Sequence, residues 1–314
     1  MIKRDKLQIF AGTASQNLAR QICKDLGIKL GEINIGRFPD GEMDIKINDD
    51  VRGGDVFVIQ STCPPVNEHL MELLIMIDCL KRASAERITA VLPYFGYARQ
   101  DRKAEGRVPI TAKLVANLVT VSGVSRVLTI DLHASQIQGF FDIPFDHLYA
   151  APVLLEYLKQ LRIPNIVVVT PDVGGIKMAR AYAKKLGADL AIVDKRRSGP
   201  RETEVTHVIG EVKGKNVVLV DDMISTGTSI AEAAKTLRTK GAKDIYACAT
   251  HAVLCGDAMH KLQKANFKEI ILTDTIPLNS KNNQKMLKIC SIAGLLSEAI
   301  RRIHNSESVS SLFG

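Results

Sequence analysis

The feature that most limits the fold is an alternation. Eight short runs rich in β-branched residues recur along the chain: DVFVIQ from 55, RITAVLP from 87, RVLTID from 126, NIVVVTP from 165, DLAIVD from 189, NVVLVDD from 216, DIYACAT from 244 and EIILTD from 269. Between most of them lie amphipathic stretches of about 12–16 residues with helical periodicity, such as VNEHLMELLIMIDCLKRAS and TSIAEAAKTLRTKGA. The alternation predicts an α/β protein with mainly parallel sheets flanked by helices. At 314 residues, two domains of ordinary size are expected. No low-complexity linker separates them, so the boundary is placed at Ala150 to Pro152, giving domains 1–150 and 151–314. A weak internal repeat supports the division. GGDVFVIQST, a helix and SAERITAVLPYFGY can be laid over GKNVVLVDDM, a helix and GAKDIYACATHAV, so that Gln60 and Ser61 fall near Asp221 and Asp222. Only the second copy carries acids there, and the first is expected to have become a partner surface.

Composition narrows the setting. No run of 18 apolar residues exists, and LMELLIMIDCL at 70–80 is interrupted by Glu72 and Asp78, which argues against a membrane span. The amino terminus lacks a signal-peptide pattern. The six cysteines are scattered with no C-x-x-C pair, so they read as small buried hydrophobes in a reducing, cytoplasmic setting. A net charge of +8 with 5% aromatics and no tryptophan fits phosphorylated small molecules better than nucleic acid, and no nucleic-acid or membrane partner is expected.

In open α/β sheets ligands gather at the carboxyl ends of strands. At one such end, VVLVDDMISTGTS places Asp221 and Asp222 directly before Ser225, Thr226, Gly227, Thr228 and Ser229. Small hydroxylated residues opening a helix make a cradle for an anion, whereas two carboxylates repel one. A single ligand with two ends satisfies both: sugar hydroxyls toward the acids and a phosphate toward the loop. The plainer alternative is a capped helix with solvated acids. TPDVGG, with Asp172 before Gly174 and Gly175, reads either as part of the same site or as a strand-turn-helix in which glycine supplies a positive φ. DLHASQ offers His133 as a ligand for a divalent ion or phosphate, with Asp131 behind it. DKRRSGPRE follows a strand and carries Lys195, Arg196 and Arg197, read as a mobile cationic connection or a solvated charge run.

The segment strand-DD-x-x-x-T-G-T resembles the phosphoribosyl-diphosphate loop of phosphoribosyltransferases and their relatives. PYFGYARQDRK (93–103), DLHASQIQGFFDIP (131–144), TPDVGG (170–175), DKRR (194–197) and AIRRIHNSESVSSLF (299–313), taken with it, resemble ribose-phosphate diphosphokinase of the phosphate-dependent class over essentially the whole chain. The resemblance implies two similar phosphoribosyltransferase-type domains, the first on the ATP side and making subunit contacts, the second holding the ribose 5-phosphate loop and a flexible catalytic loop. It implies transfer of the diphosphoryl group of Mg·ATP to ribose 5-phosphate. It assigns catalysis to Lys195, Arg197 and His133, and ATP binding to Phe38, Asp40, Gly41, Glu42, Arg99 and Gln100. Ribose 5-phosphate falls to Arg197, Asp221, Asp222 and Ser225 to Ser229, and Mg²⁺ to His133 and Asp172. A regulatory site for nucleotide and activating inorganic phosphate falls to Arg52, Arg107, Gln138, Asp146, Ser308 and Ser310. A homo-hexamer built from dimers is implied as well. Asp50 and Gly106 stand where many members have serine, which implies altered regulation. Most relatives also read D-T-x-G-T where this chain reads Ser225-Thr226-Gly227-Thr228-Ser229, so Gly227 is expected to take over the role of glycine in the loop. Two alternatives stay open: a phosphoribosyltransferase using the same loop, and a catalytically silent regulatory homologue.

Overall fold

A computed structural model describes residues 6–196, 205–278 and 285–312. The chain forms two compact units. The first comprises Met1–Tyr149, Thr275–Pro277 and Ser291–Gly314, the second Ala150–Asp274 and Leu278–Cys290. The two units divide between Tyr149 and Ala150. The carboxyl end does not follow the expected 151–314 domain, because Ser291–Gly314 belongs to the first unit.

The first unit is built on a parallel sheet of order β1-β4-β5-β6-β7. Its strands are β1 (Leu7–Ala11), β4 (Asp55–Ile59), β5 (Arg87–Leu92), β6 (Arg126–Ile130) and β7 (Phe145–Leu148), with a separate antiparallel hairpin of β2 (Ile33–Arg37) and β3 (Met43–Ile47). Helices α1 (Gln16–Leu26), α2 (Val66–Arg82), α3 (Thr111–Ser122) and α8 (Ala293–His304) cover it. The second unit has a sheet of order β10-β9-β8-β11-β12-β13-β14, parallel except for β10 against β9. Its strands are β8 (Ile166–Thr170), β9 (Asp189–Arg196), β10 (Val205–Ile209), β11 (Asn216–Ile224), β12 (Ile245–Ala252), β13 (Glu269–Thr273) and β14 (Leu287–Cys290), with helices α4 (Ala151–Gln160), α5 (Ile176–Leu186), α6 (Thr228–Thr239) and α7 (Ala258–Lys264). Central strands such as DVFVI and VVLV are buried on both faces, which is why they read as continuous apolar runs rather than alternating ones. The fold is therefore the expected α/β architecture of mainly parallel sheets flanked by helices.

The repeat holds in topology, since β1-β4-β5-β6-β7 runs in the same sense as β8-β11-β12-β13-β14. The expected partner surface at Gln60 and Ser61 is not one, because both side chains are wholly buried. Glu72, which the sequence shows only as an interruption of an apolar helix, turns inward to meet Gln60. Its carboxylate accepts from Thr13 N (2.6 Å), Thr13 Oγ1 (2.8 Å) and Gln60 Nε2 (2.8 Å). Gln60 Oε1 in turn accepts from Ala14 N at 3.2 Å. The crevice at the ends of β1 and β4 is thus filled by the unit's own carboxylate. Glu72→Ala is expected to cost about 2 kcal/mol in urea unfolding, because buried donors lose their acceptor. A loss below about 0.5 kcal/mol would show that the donors find other partners.

Candidate active site

The second unit gathers its acids at the end of β8. Strand β11 does not stop at the acids, as the sequence suggests, but continues to Ile224. The reason is its neighbour on one side: β12 pairs with it through Asp221↔Ala249 and on to Ile224↔Ala252, whereas its pairing with β8 ends at Leu219↔Val169. Asp221 and Asp222 therefore stand on a half-supported strand extension past the carboxyl end of β8. Burial, and then the charge of Asp222, push the Asp221 carboxyl up to about 8, with Asp172 adding to the effect. Asp222 N donates to Asp221 Oδ1 at 2.9 Å.

Asp172 caps the turn that follows β8, its Oδ1 accepting from Gly175 N at 3.1 Å. The glycines of TPDVGG are not there for a positive φ, since neither adopts one. Close approach requires them: a Cβ on Gly175 would lie 2.3 Å from Thr170 Oγ1, and one on Gly174 3.1 Å from Asp172 Oδ1. Thr170 Oγ1 also donates to Asp172 O at 2.8 Å, so the first residue of the TPDVGG segment helps to set the turn.

Beyond β11 the chain turns at Gly227, whose φ of +72° makes it the glycine of the loop. A Cβ there would also meet Ala258 O at 3.3 Å. Thr228 and Ser229 open α6, and no side chain caps it, which leaves the first-turn N–H groups without an intrahelical acceptor. The loop is tied to the segment after β12 by Leu254 N to Ile224 O (3.0 Å) and Cys255 N to Ser225 O (3.1 Å). Ser225 Oγ lies 3.3 Å from Cys255 Sγ, Thr226 Oγ1 donates to Thr228 Oγ1 at 3.2 Å, and Lys261 Nζ donates to the same oxygen at 3.0 Å. Sequence reasoning missed Cys255 and Lys261. They come from the next βα connection, and nothing in their spacing relates them to the loop.

Lys195 and Arg196 lie within β9 rather than after it, paired by backbone with Thr206 and Val205 of β10. The antiparallel neighbour prolongs the strand. Arg197 lies outside the described residues.

In the first unit, Phe38, Asp40, Gly41 and Glu42 form the tip of the β2–β3 hairpin. Phe38 N donates to Glu42 O at 2.8 Å, Gly41 N to Phe38 O at 2.9 Å, and Glu42 N to Asp40 Oδ1 at 3.1 Å. The Phe38 ring is half exposed. Arg99 and Gln100 are exposed after β5, and Thr111 Oγ1 donates to Gln100 Oε1. His133 is exposed after β6, next to Leu132, whose N–H donates to His147 Nε2 at 2.9 Å. Gln136 Nε2 donates to Asp101 Oδ2 at 2.6 Å, so the PYFGYARQD and DLHASQ segments meet.

The comparisons with known proteins agree end to end. A model of the N-terminal domain of ribose phosphate pyrophosphokinase matches residues 7–123, and one of the phosphoribosyl synthetase-associated domain matches residues 197–314. The ribose-phosphate pyrophosphokinase of Nostoc sp. is 54% identical over 314 residues, covering 100% of this chain and 95% of that one. The chain belongs to the ribose-phosphate pyrophosphokinase family. Its relative from Rhodopirellula baltica is 56% identical over 311 residues, covering 98% of each chain. The crystal structure of phosphoribosylpyrophosphate synthetase from Mycobacterium smegmatis superposes with a TM-score of 0.91 at 43% identity, covering 96% of this chain and 100% of that one. The two α/β units are accordingly of the phosphoribosyltransferase type expected for a ribose-phosphate pyrophosphokinase.

The regulatory candidates of this pyrophosphokinase family all fall in the first unit, engaged with different partners. Arg52 Nη1 donates to Ser84 Oγ at 3.3 Å, and Asp146 Oδ2 accepts from Arg126 Nη1 at 2.6 Å. Ser308 Oγ donates to Ser310 Oγ at 3.0 Å, while Arg107 and Gln138 are exposed. Asp50, one of the departures, accepts from Arg52 N at 3.1 Å, and Gly106 has open space around it. Among the described residues no helix is long and apolar enough to cross a membrane.

Proposed function

We propose that the anomeric hydroxyl of ribose 5-phosphate attacks the β-phosphorus of ATP on this protein, giving phosphoribosyl diphosphate and AMP. The observation that carries the reading is the full-length family match, and the second unit supplies a chemistry to go with it. Asp221 and Asp222 accept the ribose hydroxyls, and the amino end of α6 with Ser225, Thr226, Gly227, Thr228 and Ser229 takes the 5-phosphate. Lys195 and Arg197 neutralise charge on the transferred group, since such transfer depends on positioning and charge stabilisation more than on covalent chemistry. Phe38, Asp40, Gly41, Glu42, Arg99 and Gln100 hold ATP.

The residues fit Mg²⁺. Burial and neighbouring carboxylates disfavour the charged form of Asp221, and Asp172 has one oxygen held by Gly175, so a hard cation would relieve repulsion among these oxygen donors. Among the described residues no group of three or more His, Cys, Asp or Glu could hold a metal, so an ion held by Asp172 would take its remaining ligands from water and substrate phosphates. When bound, it neutralises charge on the phosphate oxygens. We further assign the chain to the phosphate-dependent class, acting as a cytoplasmic hexamer built from dimers. Activating phosphate binds at Arg52, Arg107, Gln138, Asp146, Ser308 and Ser310, and the first unit forms the ATP side.

The decisive assay supplies ATP, Mg²⁺ and ribose 5-phosphate. AMP is expected in one-to-one ratio with phosphoribosyl diphosphate. ADP in its place would refute attack at the β-phosphorus, and no turnover at all would favour the silent homologue.

A further inference from the structure

Resting on that placement of the 5-phosphate, we infer that Lys261 is a positioning residue for the phosphate end of the substrate, acting through Thr228. Lys261 lies on α7, where its Nζ is 2.9 Å from Asp257 Oδ1 and 3.0 Å from Thr228 Oγ1. Thr226 Oγ1 donates to the same Thr228 oxygen at 3.2 Å. A hydroxyl oxygen has two lone pairs and one proton. With Lys261 and Thr226 occupying both lone pairs, the Thr228 O–H is left to donate, and it stands at the first residue of α6 beside the uncapped N–H groups. A charged donor on the oxygen polarises the hydroxyl and strengthens its donation to an anion. The cation also adds to the positive end of the helix.

The arrangement is held from both sides. The left-handed turn at Gly227 packs against Ala258 of α7, and the backbone bonds from Leu254 and Cys255 fix the connection that leads into that helix. Asp257 pairs with Lys261 along α7, and the lysine charge holds the Asp257 carboxyl below its ordinary range, while Lys261 keeps its contact with Thr228 independently of that pair. Ser225 brings no charge to the loop, being engaged with Cys255 Sγ. Within this cradle the cationic contact comes from α7, a helix outside the loop motif.

The test is steady-state kinetics of Lys261→Met, Lys261→Arg, Thr228→Val and Asp257→Asn, with thermal melts to show that each folds. Lys261→Met is expected to raise the KM for ribose 5-phosphate about tenfold while leaving kcat and the KM for ATP within about twofold. Lys261→Arg should recover most of the loss. Thr228→Val should raise the same KM, and the double variant should cost no more than the larger single one, because both remove one device. Asp257→Asn should not raise it. The inference is overturned if Lys261→Met leaves that KM within about twofold of wild type, if the KM for ATP rises equally, or if Asp257→Asn reproduces the effect. A wild type that makes no phosphoribosyl diphosphate overturns the proposed function instead. An active wild type with an unaffected Lys261→Met overturns only the role of Lys261.

Discussion

Asp221→Asn is expected to lower kcat/KM for ribose 5-phosphate about a hundredfold, the scale of losing charge-assisted hydrogen bonds to a substrate, and at the same time to make the protein more stable in mild alkali. The two effects share one cause. In the folded chain burial and the Asp222 charge raise Asp221 to about 8, whereas the unfolded carboxyl titrates at about 4. Between these values the folded state holds a proton that the unfolded state releases, so rising pH weakens folding across that window. Asparagine removes the dependence, and the variant should gain about 1–2 kcal/mol over wild type at about pH 8.5, a stability and activity trade of the usual kind. Substrate binding runs the opposite way. Ribose hydroxyls donate to a carboxylate, so binding favours the ionised form and expels the proton. The wild-type KM for ribose 5-phosphate is then expected to fall as pH rises toward about 8, and that of the variant to stay flat. Proton release on binding, read by calorimetry in buffers of different ionisation enthalpy, would confirm the linkage. A wild-type KM that rises over this range would refute it.

The alternation of strand and helix was legible because the central strands of the two large sheets are buried on both faces and read as apolar runs, whereas β2, β3 and β14, half exposed, do not. The acids, the glycine-hydroxyl loop and the RFPDGE and PYFGYARQD segments were legible as separate stretches, since they lie in the connections that follow strands. What the chain does not spell out is set by partners distant in sequence. The extension of β11 through Asp221 and Asp222 depends on β12, and the inclusion of Lys195 in β9 depends on β10. Gly175 looks like a turn residue, yet it is there to make room for Thr170. Lys261 and Cys255 reach the loop only because α7 packs under Gly227. Glu72 reads as a polar break in a greasy helix until Thr13 and Gln60 are seen to converge on it. The interactions of β11 with β12, β9 with β10 and the loop with Lys261 and Cys255 join different βα segments, whereas Gly175 and Thr170 meet within one.

The carboxyl-terminal helix is tied to the first unit through one buried acid besides its apolar face, which makes Asp55→Ala the substitution with the largest expected effect on stability. Asp55 opens β4 with no exposed surface and lies opposite Arg87, the first residue of β5. Arg87 Nε donates to Asp55 Oδ1 at 2.7 Å, and Arg87 Nη2 donates to Asp55 Oδ2. His304 Nδ1 lies 2.7 Å from the same Oδ2, and Arg87 Nη2 also reaches Ile303 O (3.3 Å) and His304 O (3.4 Å) at the end of α8. The guanidinium thus adds donors to carbonyls at the helix end, where Ile303 O also accepts from Ser306 N at 3.2 Å. Alanine at 55 leaves that guanidinium without its carboxylate, at an expected cost of about 3–5 kcal/mol. Asparagine, which keeps an acceptor, should cost less. The loss should also be local in origin: amide exchange is expected to quicken first in α8 and in α1, against which it packs, while β8, β11 and β12 stay protected. The tail is drawn in too, because Arg302 of the same helix donates to Ser308 O at 2.9 Å and to Ser311 Oγ at 2.6 Å. Loosening α8 therefore loosens the segment that carries Ser308 and Ser310, and the phosphate activation proposed for that segment should weaken in Asp55→Asn before ribose 5-phosphate binding does. Equal loss of both, or a urea midpoint unchanged by alanine, would show that α8 is held by its apolar face alone.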